Sequence, residues 1–251
     1  MKRGPAVTRA MEDYLKALFE LGEHDVKPRA LAAAVGVAPA SVTGMLDKLA
    51  SLNLVRYRKY HGASLTPAGR ALALETLRHH RLLETYLAQA LGYGWHEVHD
   101  EADRLEHVIS EDFEERVDAL LGRPTHDPHG DPIPQRDGTV PESPGGPLSE
   151  LEDGARARIT RIIDQDREVL AYLAAHGLVP GATLTVVERA PFDGPVTVAV
   201  ETTPTRGAAT QAPVDAAAES APADAAAKPS SPLALAYRMA GSIRAEALGD
   251  P

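Results

Sequence analysis

The sequence predicts a mainly α protein with a small β domain toward its C-terminal end. Three observations carry this. Apolar residues recur at helical period through residues 8–121, a stretch rich in Pro, Gly, Asp and His follows, and period-two alternation takes over beyond it. The 251 residues are enough for two compact domains or one large domain with appendages. A hydrophobic fraction of 43% allows a core, but aromatics are only 4%, so Leu, Val, Ile and Ala must build it. Cysteine is absent, which excludes disulfides and thiolate metal sites. The N-terminus leads into a polar helix, and no apolar run reaches membrane-spanning length. A soluble, cytoplasmic protein without membrane contact is expected.

The first helix is expected over residues 8–22, with Thr8 as N-cap and Met11, Tyr14, Leu15, Leu18, Phe19 and Leu21 at helical period. A second helix, over residues 28–35, stops at Gly36, and Pro39 opens a third that carries Val42, Met45, Leu46 and Leu49. Two short helices joined by a tight glycine-containing turn are the helix-turn-helix pattern. The basic run from Leu54 to Tyr60, a turn at His61 and Gly62, and the run from Ala63 to Thr66 read as a β-hairpin, the wing of a winged helix-turn-helix.

Pro67 then starts a long helix reaching about residue 90, and further helices are expected over residues 96–109 and 111–121. Helices placed beside a winged domain in this way suit pairing with a second copy of the chain. Residues 122–147 read as an extended linker. Beyond it, a strand over 155–163, a helix over 167–176 and a hairpin from 182–188 to 196–201 fit an SH3-like barrel. The Ala/Pro-rich stretch at about 203–232 has no periodicity and is expected to be a disordered insertion before a short helix and closing strand. The resulting domains are 1–70, 71–122, a linker at 123–147, and 148–251.

The net charge of −10 is unfavourable for nucleic acid, but it is segregated. Arg29, Lys48, Arg56, Arg58, Lys59 and Arg70 crowd the first third, while acids gather from Glu84 onward. The third helix is expected in the major groove with Ala40, Ser41, Thr43 and Lys48 near its exposed face, and Arg56, Arg58 and Lys59 are placed to add phosphate contacts.

Two helical runs hold metal-ligand residue types. His80 and Glu84 stand one turn apart, and His99, Asp103, Glu106 and His107 fall in a stripe roughly 100° wide. Imidazole and carboxylate donors one turn apart suit a divalent cation. The stripe also borders an apolar face of Val98, Ala102, Leu105 and Ile109, where a solvated flank of acids and histidines would look the same. Spacing alone leaves both readings open.

Several collinear segments together decide between them. They are Met11 to Leu15, Ser41 to Thr43, Leu65 to Arg70, His80 to Glu84, His99 to His107, and the run Pro128, His129, Gly130, Asp131, Pro132, Ile133, Pro134. Over residues 8–135 the chain closely resembles the diphtheria-toxin-repressor family of metal-dependent transcriptional regulators, and residues 148–201 resemble its SH3-like domain more loosely. The resemblance implies a primary metal site of Asp13, Asp103, Glu106 and His107. It implies an ancillary site of His80, Glu84 and His99, with Asp166 nearest to a fourth position and Glu168 a rival. It also assigns Ser41 and Thr43 to phosphate or sugar contacts.

In the family's iron-responsive members the positions of Asp13 and Asp103 usually hold Met and Cys, whereas manganese-responsive members carry carboxylates. Oxygen and imidazole donors alone suit Mn²⁺ better than softer metals. Manganese-responsive members are further expected to carry an acid where Lys16 stands and to lack the third domain. The combined expectation is a repressor of metal-uptake genes, not an enzyme, that binds double-stranded palindromic operator DNA as a homodimer when loaded with Mn²⁺. No small organic cofactor is expected. The alternatives are an Fe²⁺-responsive repressor, a winged-helix sensor of an organic ligand, and a metallohydrolase, which lacks any accompanying nucleophile motif.

Overall fold

The computed structural model describes residues 7–201 and 231–249. The chain divides into two compact units, Met1–Pro128 with Pro132–Glu142, and His129–Asp131 with Ser143–Pro251.

In the first unit, helix α1 (Arg9–Glu20) buries Met11, Leu15 and Leu18 along one face. Thr8 is its N-cap residue, but its backbone carbonyl rather than its side chain accepts the first hydrogen bonds. Helices α2 (Pro28–Val35) and α3 (Pro39–Ser51) meet at 103°. Gly36 ends α2 in the left-handed region, at φ 69°, where a side chain would add strain. Leu31, Val42, Leu46 and Leu49 from this pair are fully buried against α1 and the hairpin β1 (Val55–Arg58) and β2 (Gly62–Leu65). The hairpin is antiparallel, in register from Val55 opposite Leu65 to Arg58 opposite Gly62. This is the winged helix-turn-helix that the pattern of short helices and basic hairpin predicts.

Helix α4 (Pro67–Leu91) starts where Thr66 Oγ1 accepts from the Gly69 amide at 3.1 Å. Gly69 presses on the backbone just ahead of β1 so closely that a Cβ would stand 1.9 Å from the Leu54 carbonyl oxygen, so only glycine fits. Helix α5 (Val98–Leu105) packs Val98 and Ala102 onto Leu83 and Leu87 of α4. Helix α6 (Glu111–Leu120) is capped by Ser110, whose Oγ accepts from the Phe113 amide. No single helix among the described residues is long and apolar enough to cross a membrane.

Two expectations need correction here. Helix α5 is shorter than the expected 96–109: Glu106 keeps helical backbone angles and donates to the Ala102 carbonyl, but His107 already lies in the closing turn. Part of the expected linker is also docked rather than extended. Arg78 and Arg81 of α4 donate to the carbonyls of Pro134 and Pro132 at 3.0 and 2.5 Å, and Ile133 is buried with Leu82 and Val117. Prolines offer no N–H, so their carbonyls need donors from elsewhere, and these guanidinium groups supply them.

The second unit is a six-stranded antiparallel sheet of order β3-β8-β4-β5-β6-β7. Its elements are β3 (Gly146–Pro147), a 3-10 turn (Leu148–Glu150), β4 (Arg156–Ile162), α7 (Arg167–Ala175), β5 (Thr183–Arg189), β6 (Val196–Val200), β7 (Leu233–Leu235), α8 (Tyr237–Ser242) and β8 (Ile243–Ala247). Inward alternation buries Ala157, Ile159, Ile162, Leu184, Val186, Val196 and Val198, as expected of an SH3-like domain. The short strands β3 and β7 carry too little sequence to show alternation and were not expected. The expected disordered insertion lies outside the described residues, apart from its last two.

Candidate metal centre

Three elements bring the ligand-type residues together. Asp13 comes from α1, which packs against α4. His80 and Glu84 come from α4, while His99 and Asp103 come from α5, with Glu106 and His107 just past its end. Arg9 donates to the Asp103 carbonyl at 2.8 Å and ties α1 to α5.

Among the described residues, Asp13, Glu106 and His107 form one cluster that could hold a metal, and His80, His99 and Asp103 form another. In the first, His107 Nε2 lies 2.8 Å from Asp13 Oδ1 and 3.1 Å from Glu106 Oε1. That buried nitrogen makes no hydrogen bond. His107 Nδ1 donates to Glu12 Oε2 at 2.6 Å, so in the neutral ring the Nε2 lone pair is aimed at the two carboxylates. An imidazole nitrogen without a hydrogen bond, facing two carboxylate oxygens, is a donor set that fits a divalent cation. Burial raises the Asp13 carboxyl above its ordinary value, with His107 opposing and Glu106 adding to the rise.

In the second cluster, His80 Nε2 is 3.0 Å from Glu84 Oε1 and 3.1 Å from His99 Nδ1, and Glu84 Oε1 also lies 3.1 Å from His99 Nδ1. His80 Nδ1 stands 2.5 Å from Glu106 Oε2 and 3.3 Å from Asp103 Oδ1. Burial opposes charge on His80, but the charge of Glu84 and hydrogen bonds to Asp103, Glu106 and Glu84 outweigh it and hold its pKa well above the ordinary value. Glu106 reaches into both clusters, one oxygen toward each. Burial works against its ionisation, yet His80 and Lys16 hold its pKa below normal.

The structure thus parts Asp103 from the other three residues of the expected primary set and faces it toward His80 and His99. Lys16, one turn after Asp13, bridges Asp103 to Glu106: its ammonium lies 2.8 and 2.9 Å from the Glu106 oxygens and 3.0 Å from Asp103 Oδ1. Sequence reasoning noted Lys16 only as a missing acid. It missed Glu12 altogether, for which adjacency to Asp13 is no signal. Asp166 lies in the other unit, exposed, where its Oδ1 caps α7 by accepting from the Glu168 and Val169 amides at 2.9 and 3.2 Å. Glu168 is exposed in the first turn of that helix.

The eight residues expected at DNA all lie exposed on the first unit: Arg29 on α2, Ala40, Ser41, Thr43 and Lys48 on α3, and Arg56, Arg58 and Lys59 on the wing. Lys27, just ahead of α2, donates to the His61 carbonyl at 2.7 Å and anchors the wing tip to the helix pair.

Residues 6–63 match the family described as "Iron dependent repressor, N-terminal DNA binding domain", and residues 66–135 match "Iron dependent repressor, metal binding and dimerisation domain". The chain is 36% identical over 204 residues to the iron-dependent repressor IdeR of Mycobacterium tuberculosis (strain ATCC 25618 / H37Rv), covering 75% of this chain and 87% of that protein. The chain belongs to the diphtheria-toxin-repressor family. It is a metal-dependent transcriptional repressor and not an enzyme, which removes the metallohydrolase reading.

Residues 146–206 match the FeoA domain, in keeping with the SH3-like sheet of this repressor. The diphtheria toxin repressor of Corynebacterium diphtheriae (strain ATCC 700971 / NCTC 13129 / Biotype gravis) is 30% identical over 200 residues, covering 75% of this chain and 87% of that one. Among solved structures, "Manganese-dependent transcriptional repressor complex with manganese" is 35% identical with a TM-score of 0.79, covering 95% of this chain and 100% of that one. ScaR with bound Cd²⁺ is 30% identical, with a TM-score of 0.72 and coverage of 95% and 99%. A manganese-dependent repressor that aligns with 95% of this chain must extend through the C-terminal unit. The expectation that manganese-responsive members lack a third domain therefore fails, and the SH3-like unit does not favour iron.

Proposed function

We propose that this repressor responds to Mn²⁺, binds palindromic operator DNA as a cytoplasmic homodimer, and controls metal-uptake genes. The convergence of Asp13, Glu106 and His107 on one point, with the buried His107 Nε2 lacking a hydrogen bond, carries the reading. The donors are carboxylate oxygens and imidazole nitrogen only, and this hard set favours Mn²⁺. His80, His99 and Asp103, with Glu84, are the residues for an ancillary ion.

A bound cation supplies positive charge to a cluster rich in carboxylates. The chain's own residues supply the coupling. Asp13 belongs to the helix that buries Met11, Leu15 and Leu18 in the winged-domain core, so its position reports on that core. Glu106 and His107 belong to the helical segment. Glu12 orients the His107 ring, and Lys16 holds Glu106 when the countercharge is low. Drawing Asp13 to Glu106 and His107 fixes α1, and with it the presentation of α3 and the wing. In a two-fold dimer this sets the spacing of the recognition helices over two half-sites. Linkage then requires that metal and DNA strengthen each other equally, typically by about 1–3 kcal/mol.

Iron is the second reading, favoured by the 36% identity to proteins named iron-dependent repressors. One experiment tests both. Anisotropy of labelled operator DNA is followed in chelator and then with Mn²⁺, Fe²⁺ and Zn²⁺ titrated separately at fixed salt. Tight binding that needs metal, and is strongest with Mn²⁺, is expected; a preference for Fe²⁺ selects the second reading. Binding indifferent to every metal, or retained metal stimulation in both Asp13→Ala and Glu106→Ala, sinks the clamp.

A further inference from the structure

His79 lies next in sequence to His80 yet belongs to neither metal cluster. Its Nδ1 lies 3.1 Å from the Glu106 carbonyl oxygen. A carbonyl only accepts, so Nδ1 carries the hydrogen; in the neutral ring Nε2 then holds a bare lone pair. Burial disfavours charge on the ring, but Glu114 and the Glu106 carbonyl outweigh it and raise its pKa. This side chain is nine-tenths buried, and its Nε2 makes no hydrogen bond. It faces acids: Glu114 Oε2 stands 3.4 Å from Nε2, while Glu114 Oε1 is taken up by Arg78 Nε at 2.5 Å. Glu75, one turn earlier on α4, and Glu111, the first residue of α6, bring two more carboxylates to the same place. One donor atom from each of Glu75, His79 and Glu111 lies within 4.8 Å of the others.

A buried imidazole nitrogen turned toward carboxylates is repulsive unless a proton or a metal ion stands between them, and three acids around one nitrogen offer more negative charge than one proton balances. We propose that Glu75, His79 and Glu111 form an auxiliary site for a first-row divalent cation, separate from the two clusters around Glu106. The donors suit it. An imidazole whose second nitrogen donates to a backbone carbonyl is the usual outer-shell arrangement of a histidine ligand, and carboxylates complete a hard-to-intermediate set. Glu75 and Glu111 are exposed, so an ion enters from solvent through the cleft these residues share with Glu12 and His107. The crowding is visible in Glu75, whose carboxyl is raised first by burial, with His79 opposing and Glu111 adding to the rise. The ring of His79 also holds the main chain of Glu106. An ion here therefore steadies the turn that presents Glu106 and His107, and links this site to the primary centre without a shared ligand.

The test counts ions and is independent of DNA binding. Full-length protein is equilibrated near neutral pH with Mn²⁺ and, separately, Zn²⁺, and bound metal per chain is measured after dialysis. Wild type is compared with Glu75→Gln/Glu111→Gln, Glu111→Gln and Asp13→Ala, and circular dichroism checks that each is folded. The double variant is expected to bind one ion fewer per chain, and the single Glu111→Gln to hold its weakest ion about tenfold less tightly. Asp13→Ala is expected to lose a different ion, so that combining it with the double variant removes two. An unchanged count and affinity in the Glu75/Glu111 variants, with both metals, overturns the proposal and makes His79 an imidazolium paired with Glu114.

Discussion

Replacing Lys16 with Met keeps the aliphatic stem and deletes the charge that neutralises Glu106. The Glu106 side chain is 1% exposed and that of Lys16 14%, so this pair is screened little; Asp103, at 43%, is screened much more. Burial disfavours the ammonium, but Glu106 and then Asp103 outweigh it and raise the Lys16 pKa, so the charge is present throughout the neutral range. Removing one partner of a buried pair costs about 3–5 kcal/mol, and the exposed contact adds at most about 1. His80 still faces Glu106 at 2.5 Å, which places the loss near the lower end, about 3 kcal/mol in chelator. For a protein of this size that is a fall of about 6–12 °C in Tm. Saturating Mn²⁺ returns positive charge to Glu106, so the loss there should shrink to about 1 kcal/mol or less. Thermal melting followed by circular dichroism, in chelator and in excess Mn²⁺, reads both values. An equal loss in the two conditions, or none in chelator, refutes the argument that Lys16 acts as an internal countercharge.

Glu12→Gln should weaken Mn²⁺ binding by about 10–100-fold, because Glu12 orients the His107 ring, and competition against a chelating dye measures it. Unchanged affinity would show that the ring is held by packing alone. Burial works against ionisation of Glu114, but His79 and Arg78 hold its carboxyl down to about 2 from an ordinary 4.5. Its contribution is therefore complete above pH 4.5 and is lost as pH falls toward 2, by about 3 kcal/mol in all. Chemical denaturation across that range should show a flatter pH dependence in Glu114→Gln, and parallel curves would contradict the assignment. Arg58→Ala and Lys59→Ala should each lower the salt-dependence slope of operator binding by about 1 while weakening all operator variants alike. A slope that stays at the wild-type value would place the wing off the phosphates.

The helices and the wing were legible because their signals are local. Periodicity in α1 and α3, Gly36 after α2, Thr66 and Pro67 at the start of α4, and the basic run ending at Gly62 each act within a few residues. The centre was legible in part for the same reason. His80 with Glu84, and His99 with Asp103, are one turn apart on their own helices, and the packing of Val98 and Ala102 on Leu83 and Leu87 brings the two pairs together. The end of α5 was misjudged because Glu106 retains helical angles after the regular hydrogen-bonded run is over.

By itself, the sequence determined the kind of chemistry available: no thiolate, a stock of carboxylates and imidazoles at helical spacing, and a basic winged segment ahead of them. Tertiary structure decided which donors converge. Lys16 reaches Asp103 and Glu106, 87 and 90 positions away, and Glu12 reaches His107 across 95. The bare nitrogen of His79 depends on a carbonyl 27 residues on. The physical reason is that a hydrogen bond or ion pair is fixed to a few tenths of an ångström by how helices pack, and no spacing along one helix encodes the approach of another.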